Sequence, residues 1–166
     1  MKQIREDCSI ILKAGVKEGK MDLIQKIIHA ITQVHPPHIM FVHFPIALTG
    51  AALFFIILAL WKKNEILEKI AFANISLAAV SSVVAALVGI RDNIHFFNGL
   101  APNHVAKIIL ASILFIITAA TALARWKNPN LFHTPVAKVF YDLAFFVSFA
   151  ISIVLAFLGG VIAYGF

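Results

Sequence analysis

The sequence predicts an all-α integral membrane protein, an up-down four-helix bundle with an N-terminal amphipathic helix on the membrane surface. Three observations predict it. Hydrophobic residues make up 61% of the 166 residues and charged ones 13%, with a mean hydropathy of +0.92. A water-soluble domain of this length cannot hide so much apolar side chain behind so few charges. Four stretches stay apolar over the roughly 20 residues that a spanning helix needs. They are too long and too continuous for barrel strands, the other structure that satisfies its own backbone groups in lipid.

The elements follow in chain order. Residues 1–34 form a membrane-surface segment, in which Leu23, Ile24, Ile27, Ile28, Ile31 and Val34 recur at helical spacing opposite Asp22, Gln25, Lys26, His29 and Gln33. A weaker stripe, Ile4, Cys8, Ile11 and Leu12, is set off from it by Gly15 and Gly19, which mark a hinge. The beginning of the chain mixes both charge signs and lacks a signal peptide's apolar core. Residues 35–166 form the transmembrane domain, with helices over about 38–61, 70–90, 104–124 and 139–164. The second is rich in small residues, namely Ala71, Ala73, Ala78, Ala79, Ser81, Ser82, Ala85, Ala86 and Gly89. Such a helix lets its neighbours approach closely and is expected to be the central packing element.

Composition excludes several functions. The net charge of +6 and a pI near 9.7 could suit nucleic acid, but the lysines flank apolar runs instead of forming a patch with exposed aromatics, so no nucleic-acid partner is expected. The single cysteine, Cys8, excludes disulfide frameworks, Cys-rich zinc sites, iron–sulfur clusters and covalently attached haem. The lipid bilayer is the first partner.

Antiparallel helices sort the polar residues onto two faces. Side A, where the first helix starts, receives His35, His38, His43, Arg91, Asp92, His95, His104, Gly159, Gly160 and Tyr164. Side B receives Lys62, Lys63, Lys69, Arg125, Lys127 and Lys138, and of the seven histidines only His133. Basic short loops favour side B as cytoplasmic, although the lysines of the N-terminal segment pull the other way.

The densest chemistry is His35-Pro-Pro-His38-Ile-Met-Phe-Val-His43-Phe44-Pro45. A histidine within a span usually faces the interior, where it meets a ligand, a metal or a polar partner, and His43 fits that description. Pro45 either breaks the bond to the carbonyl of Phe41 and bends the helix, or lies in the first turn where no bond is lost. His38 and His43 are five residues apart, about 140° around an ideal helix, so they serve different purposes. His104 heads the third helix, parallel to the first, and can pair with His43 as axial ligands of a b-type haem; His95, expected in the preceding loop, is the alternative second ligand. The plain alternative makes His104 an N-terminal residue behind an Asn103 cap. Arg91 and Asp92 form either a solvated pair or a charged contact to haem propionates or a quinone headgroup. Asp142 is explained by a salt bridge to Lys138 one turn earlier, with Asn74 as a further neighbour. The many phenylalanines are read as lipid-facing or packing residues.

The run His38 to Pro45, the pair Gly89 and Asp92, a histidine heading the third helix, and the terminal Gly159-Gly160-Val-Ile-Ala-Tyr164-Gly165 resemble the domain of unknown function 2231 family of bacterial four-helix membrane proteins. The similarity runs from about Val34 to the C-terminus. Ile39 stands where that family has a proline, and the chain stops before the last glycine of the terminal motif. The resemblance implies the four-helix fold and a bacterial inner membrane. Relatives fused to Rieske or cytochrome domains imply, by association, a redox partner of that kind.

The leading expectation is a membrane redox module in which His43, with His104 or His95, ligates haem b and passes electrons to a quinone or partner cytochrome. The second is a non-catalytic anchor or assembly subunit of a larger complex, or a homo-oligomer, whose histidines cap helices and bond backbone carbonyls. The third is a transition-metal site made from His35, His38, His43 and His95, disfavoured by the lack of acidic or thiolate ligands nearby. A channel or transporter is less expected, because the spans carry no repeated polar stripe. No catalytic residue is assigned.

Overall fold

The computed structural model describes residues 23–28, 37–129 and 135–164. The chain divides into two compact units, Met1–Pro37 and His38–Phe166. In the first, residues 23–28 are helical and expose Leu23, Ile24, Ile27 and Ile28. The rest of the expected amphipathic segment, with His29 and His35, lies outside the described residues, as does His133.

The second unit is all-helical among its described residues: α1 His38–Lys62, α2 Glu65–Phe97, α3 His104–Lys127 and α4 Pro135–Tyr164. All four are long and apolar enough to cross a membrane. α1 packs on α2 and α4, and α3 packs on the same two, which closes an up-down ring with α1 and α3 on opposite corners.

The helices outrun the apolar stretches because capping, which hydropathy does not register, sets their ends. Asn64, which follows Lys63 at φ 49°, accepts the amide of Ile66 at 2.8 Å, so α2 starts at Glu65, five residues earlier than expected. At its other end α2 continues through Arg91, Asp92 and His95 to Phe97 and is closed by Asn98 in the left-handed region, φ 50°. His95 is therefore on a helix and not in a loop. Pro135 opens α4, where a missing amide costs nothing. Pro45 lies well inside α1, past its first turn, so the first-turn reading of this residue does not hold.

Each helix turns one narrow line toward the axis. On α1 it is Pro45, Thr49, Ala52, Ile56 and Ala59. α2 contributes Glu68, Ala71, Ile75, Ala78, Ser82, Ala85 and Asp92. Leu114, Thr118 and Thr121 belong to α3, and Tyr141, Phe145, Ser148 and Ser152 to α4. Ala52, Ile56, Ala71, Ile75, Tyr141 and Phe145 form one apolar cluster. Small residues bring the backbones close: a Cβ on Gly50 of α1 would lie 3.1 Å from the Phe149 ring of α4. Large apolar side chains such as Phe54, Leu77, Ile116 and Phe157 point outward, as lipid requires.

Candidate functional site

At side A the quoted motif residues build a clasp between α1 and α2. The first amide of a helix has no partner within it. For α1 that amide belongs to His38, and it donates to Asp92 Oδ2 of α2 at 2.8 Å. Asp92 thus caps a neighbouring helix and places a negative charge at its positive end. Its other oxygen accepts from the Arg91 guanidinium at 3.2 Å. Asp92 is buried while Arg91 is largely exposed, so this is not a solvated pair.

The His38 side chain makes the second tie. It lies on the inward line of α1, and its Nδ1–H donates to the Ala85 carbonyl of α2 at 3.0 Å. The ring rests on Gly89, where a Cβ would come within 2.9 Å of both Cε1 and Nδ1. Ala85, Gly89 and Asp92 recur at spacings of four and three, so one face of α2 presents a carbonyl, a gap and a carboxylate in succession. The spacing Gly-x-x-Asp is thereby explained: glycine admits the ring and aspartate, a turn later, meets the amide at its base.

His43 is elsewhere. It lies about 160° around α1 from the inward line, is exposed, and donates its Nδ1–H to the Ile39 carbonyl of its own helix. Phe44 beside it is exposed too. His104 heads α3 on the opposite corner, and its Nδ1–H donates to the Ala101 carbonyl at 2.8 Å. The expected His43–His104 pair is not brought together within one chain, because His43 faces away from the bundle. Asn103 occupies the cap position of α3 but makes no side-chain cap bond. His95 is exposed and packs edge-on against Phe96, ring centroids 4.8 Å apart. Among the described residues no three His, Cys, Asp or Glu side chains come together as a metal cage. Gly159 has open space around it; the Tyr164 side chain lies outside the described residues.

A second polar cluster, at side B, was not anticipated. Glu68 of α2 is fully buried and takes Arg125 of α3 in a two-pronged pair, Nε–Oε1 2.7 Å and a second guanidinium nitrogen to Oε2 2.9 Å. The Tyr141 hydroxyl of α4 donates to Glu68 Oε1 at 2.8 Å, and Arg125 also donates to the Pro129 carbonyl. Three helices meet on one carboxylate. Asp142 pairs with Lys138 at 2.7 Å, one turn apart on α4. Asn74 instead donates to Ile70 of its own helix. Lys107, also unanticipated, lies one turn into α3 and is half-buried. The signal for all four was available: Glu68 precedes Ala71 by three, Arg125 follows Thr121 by four, and Lys107 and Tyr141 share those inward lines. Charge at the edge of an apolar run reads as a flank until helix phase is considered.

Residues 34–166 match the model of a family of predicted membrane proteins, DUF2231, and the chain belongs to that family. No curated protein matches it, and no solved structure does.

Proposed function

We propose that this chain is a non-catalytic membrane subunit that docks onto a partner membrane protein through the outer face of α1. The observation that carries this reading is His43. An ionisable ring within a span is costly against lipid and normally faces protein, yet His43 points out of the bundle with Nε2 directed away from its own helix. Phe44 beside it is exposed, as is Phe54 about three turns further along the same face of α1, and aromatic side chains are frequent anchors in interfaces. The remaining motif residues support the same reading, since His38, Gly89 and Asp92 are engaged in holding α1 against α2. The test is a photo-crosslinking amino acid placed at position 43 in native membranes, with position 157 on α4 as control. A discrete protein adduct from position 43 and none from 157 is expected. Lipid adducts alone at both positions refute the reading.

One observation favours a haem-binding reading as well. In His43 and His104, Nδ1–H is committed to a backbone carbonyl, which fixes the tautomer with a bare Nε2, the form an axial ligand takes. Because His43 faces outward, its haem would lie between this chain and a partner or second copy that supplies the other ligand. Arg91, the exposed guanidinium of side A, would then serve propionates or a quinone headgroup.

A further inference from the structure

Side B carries both tryptophans of the chain. Trp61 is the last residue but one of α1 and Trp126 the last but one of α3, and each of these helices then ends on a lysine, Lys62 or Lys127. The two residues are 79% and 77% exposed, so neither packs the bundle. An indole joins an apolar body to a single N–H donor, which suits the boundary between acyl chains and headgroups. Because α1 and α3 occupy opposite corners, the pair marks that boundary on two sides of the bundle.

The charges at this level do not cancel. Among the described residues of side B, Arg125 is engaged with Glu68 and Lys138 with Asp142. That leaves Lys62, Lys63, Lys69 and Lys127, all exposed and none in an ion pair among the described residues, against one exposed carboxylate, Glu65. α2 packs between α1 and α3, so Lys69 on α2 links the two corners into one basic arc. Side A is built differently. It has no tryptophan, its Arg91 is tied to Asp92, and its Lys107 is half-buried.

We infer that this arc is a docking surface for anionic lipid headgroups of the phosphatidylglycerol type. Charge complementarity selects an anionic occupant, and the indoles next to the lysines set the charges at headgroup depth. A lysine there lays its apolar stem along the acyl chains and carries the ammonium out to the phosphates. Each lysine close to an anionic membrane surface is worth about a fivefold gain in affinity. The inference is independent of the docking reading, which concerns His43 at the other end of α1.

The test uses the full chain in vesicles of phosphatidylcholine and phosphatidylglycerol, in which one lipid or the other carries bromine high on its acyl chains. Bromine quenches indole fluorescence on contact, and both indoles report from side B. At low salt, brominated phosphatidylglycerol is expected to take the contact about fivefold more readily than brominated phosphatidylcholine. A chain with Lys62→Gln, Lys63→Gln, Lys69→Gln and Lys127→Gln should lose that preference. Salt at about 1 M, which shortens the screening length to about 3 Å, should remove it from the unaltered chain, so the result does not depend on the variant folding. Equal quenching by the two lipids at low salt overturns the inference. So does a preference that survives high salt or the four substitutions.

Discussion

Replacing Gly89 by alanine should change sign with the residue at position 38. In the parent chain the new Cβ would lie 2.9 Å from two atoms of the His38 ring, closer than real Cβ atoms come to any neighbour. The ring must move, and moving it breaks the 3.0 Å bond to Ala85. Overpacking costs about 1–3 kcal/mol and the lost hydrogen bond about 1 kcal/mol, against which alanine regains about 1 kcal/mol of helix propensity. The net expectation is a destabilisation of about 1–3 kcal/mol. With His38→Ala already present there is no ring to strike, and Gly89→Ala should stabilise by about 1 kcal/mol. The amide at position 38 still reaches Asp92 in that background, so the cap is held constant while the ring contact is tested. Equilibrium SDS titration in mixed micelles of the four proteins of this cycle gives the coupling energy. Equal destabilisation with and without the ring would refute the clasp.

The side B cluster predicts a hierarchy in the same assay. Arg125→Ala leaves Glu68 charged and buried and should cost about 3–5 kcal/mol, whereas Tyr141→Phe removes one donor to a carboxylate and should cost about 1.5–3 kcal/mol. The Glu68→Ala, Arg125→Ala double variant should be less destabilised than Arg125→Ala alone, because no uncompensated charge remains. Thr49→Val breaks the contact with Ser152, and interhelical bonds of this kind within membranes average about 0.6 kcal/mol; a loss well above about 2 kcal/mol would mean that Thr49 has a role beyond that pair.

How much of this was legible in the sequence depends on the type of signal. The four spans were, because hydropathy over a window as long as the bilayer is thick is a bulk property. Their ends were not: Asn64 and Asn98 carry α2 well past its apolar stretch in both directions, which put His95 on a helix. At side A the sequence singled out His38, Gly89 and Asp92 as motif residues, and the fold brings the three together in a contact that the motif alone does not reveal. That contact depends on which way α2 faces, and helix phase within an apolar run has few polar markers. His43 illustrates the same limit. Its angle to His38 puts the two rings on different faces of α1, but which of the two faced inward needed the packed neighbours. Glu68 and Arg125 are 57 residues apart in sequence, so their pairing is a consequence of topology that no local pattern records. The buried hydroxyls Thr49, Ser82, Thr118, Thr121, Ser148 and Ser152 are spread over four helices and come to share one interior only when the bundle closes.

The central claim is the proposal that His38 clasps α1 to α2 while the outward-facing His43 docks a partner, with no haem bound by this chain by itself. The measurement that meets it most directly is an oxidised and dithionite-reduced visible spectrum of the detergent-purified single chain, produced with haem in supply, beside His43→Ala and His104→Ala. The account predicts no reduced α-band in any of the three. A sharp band in the parent that both variants lose would contradict it and make haem ligation by those two side chains the working function.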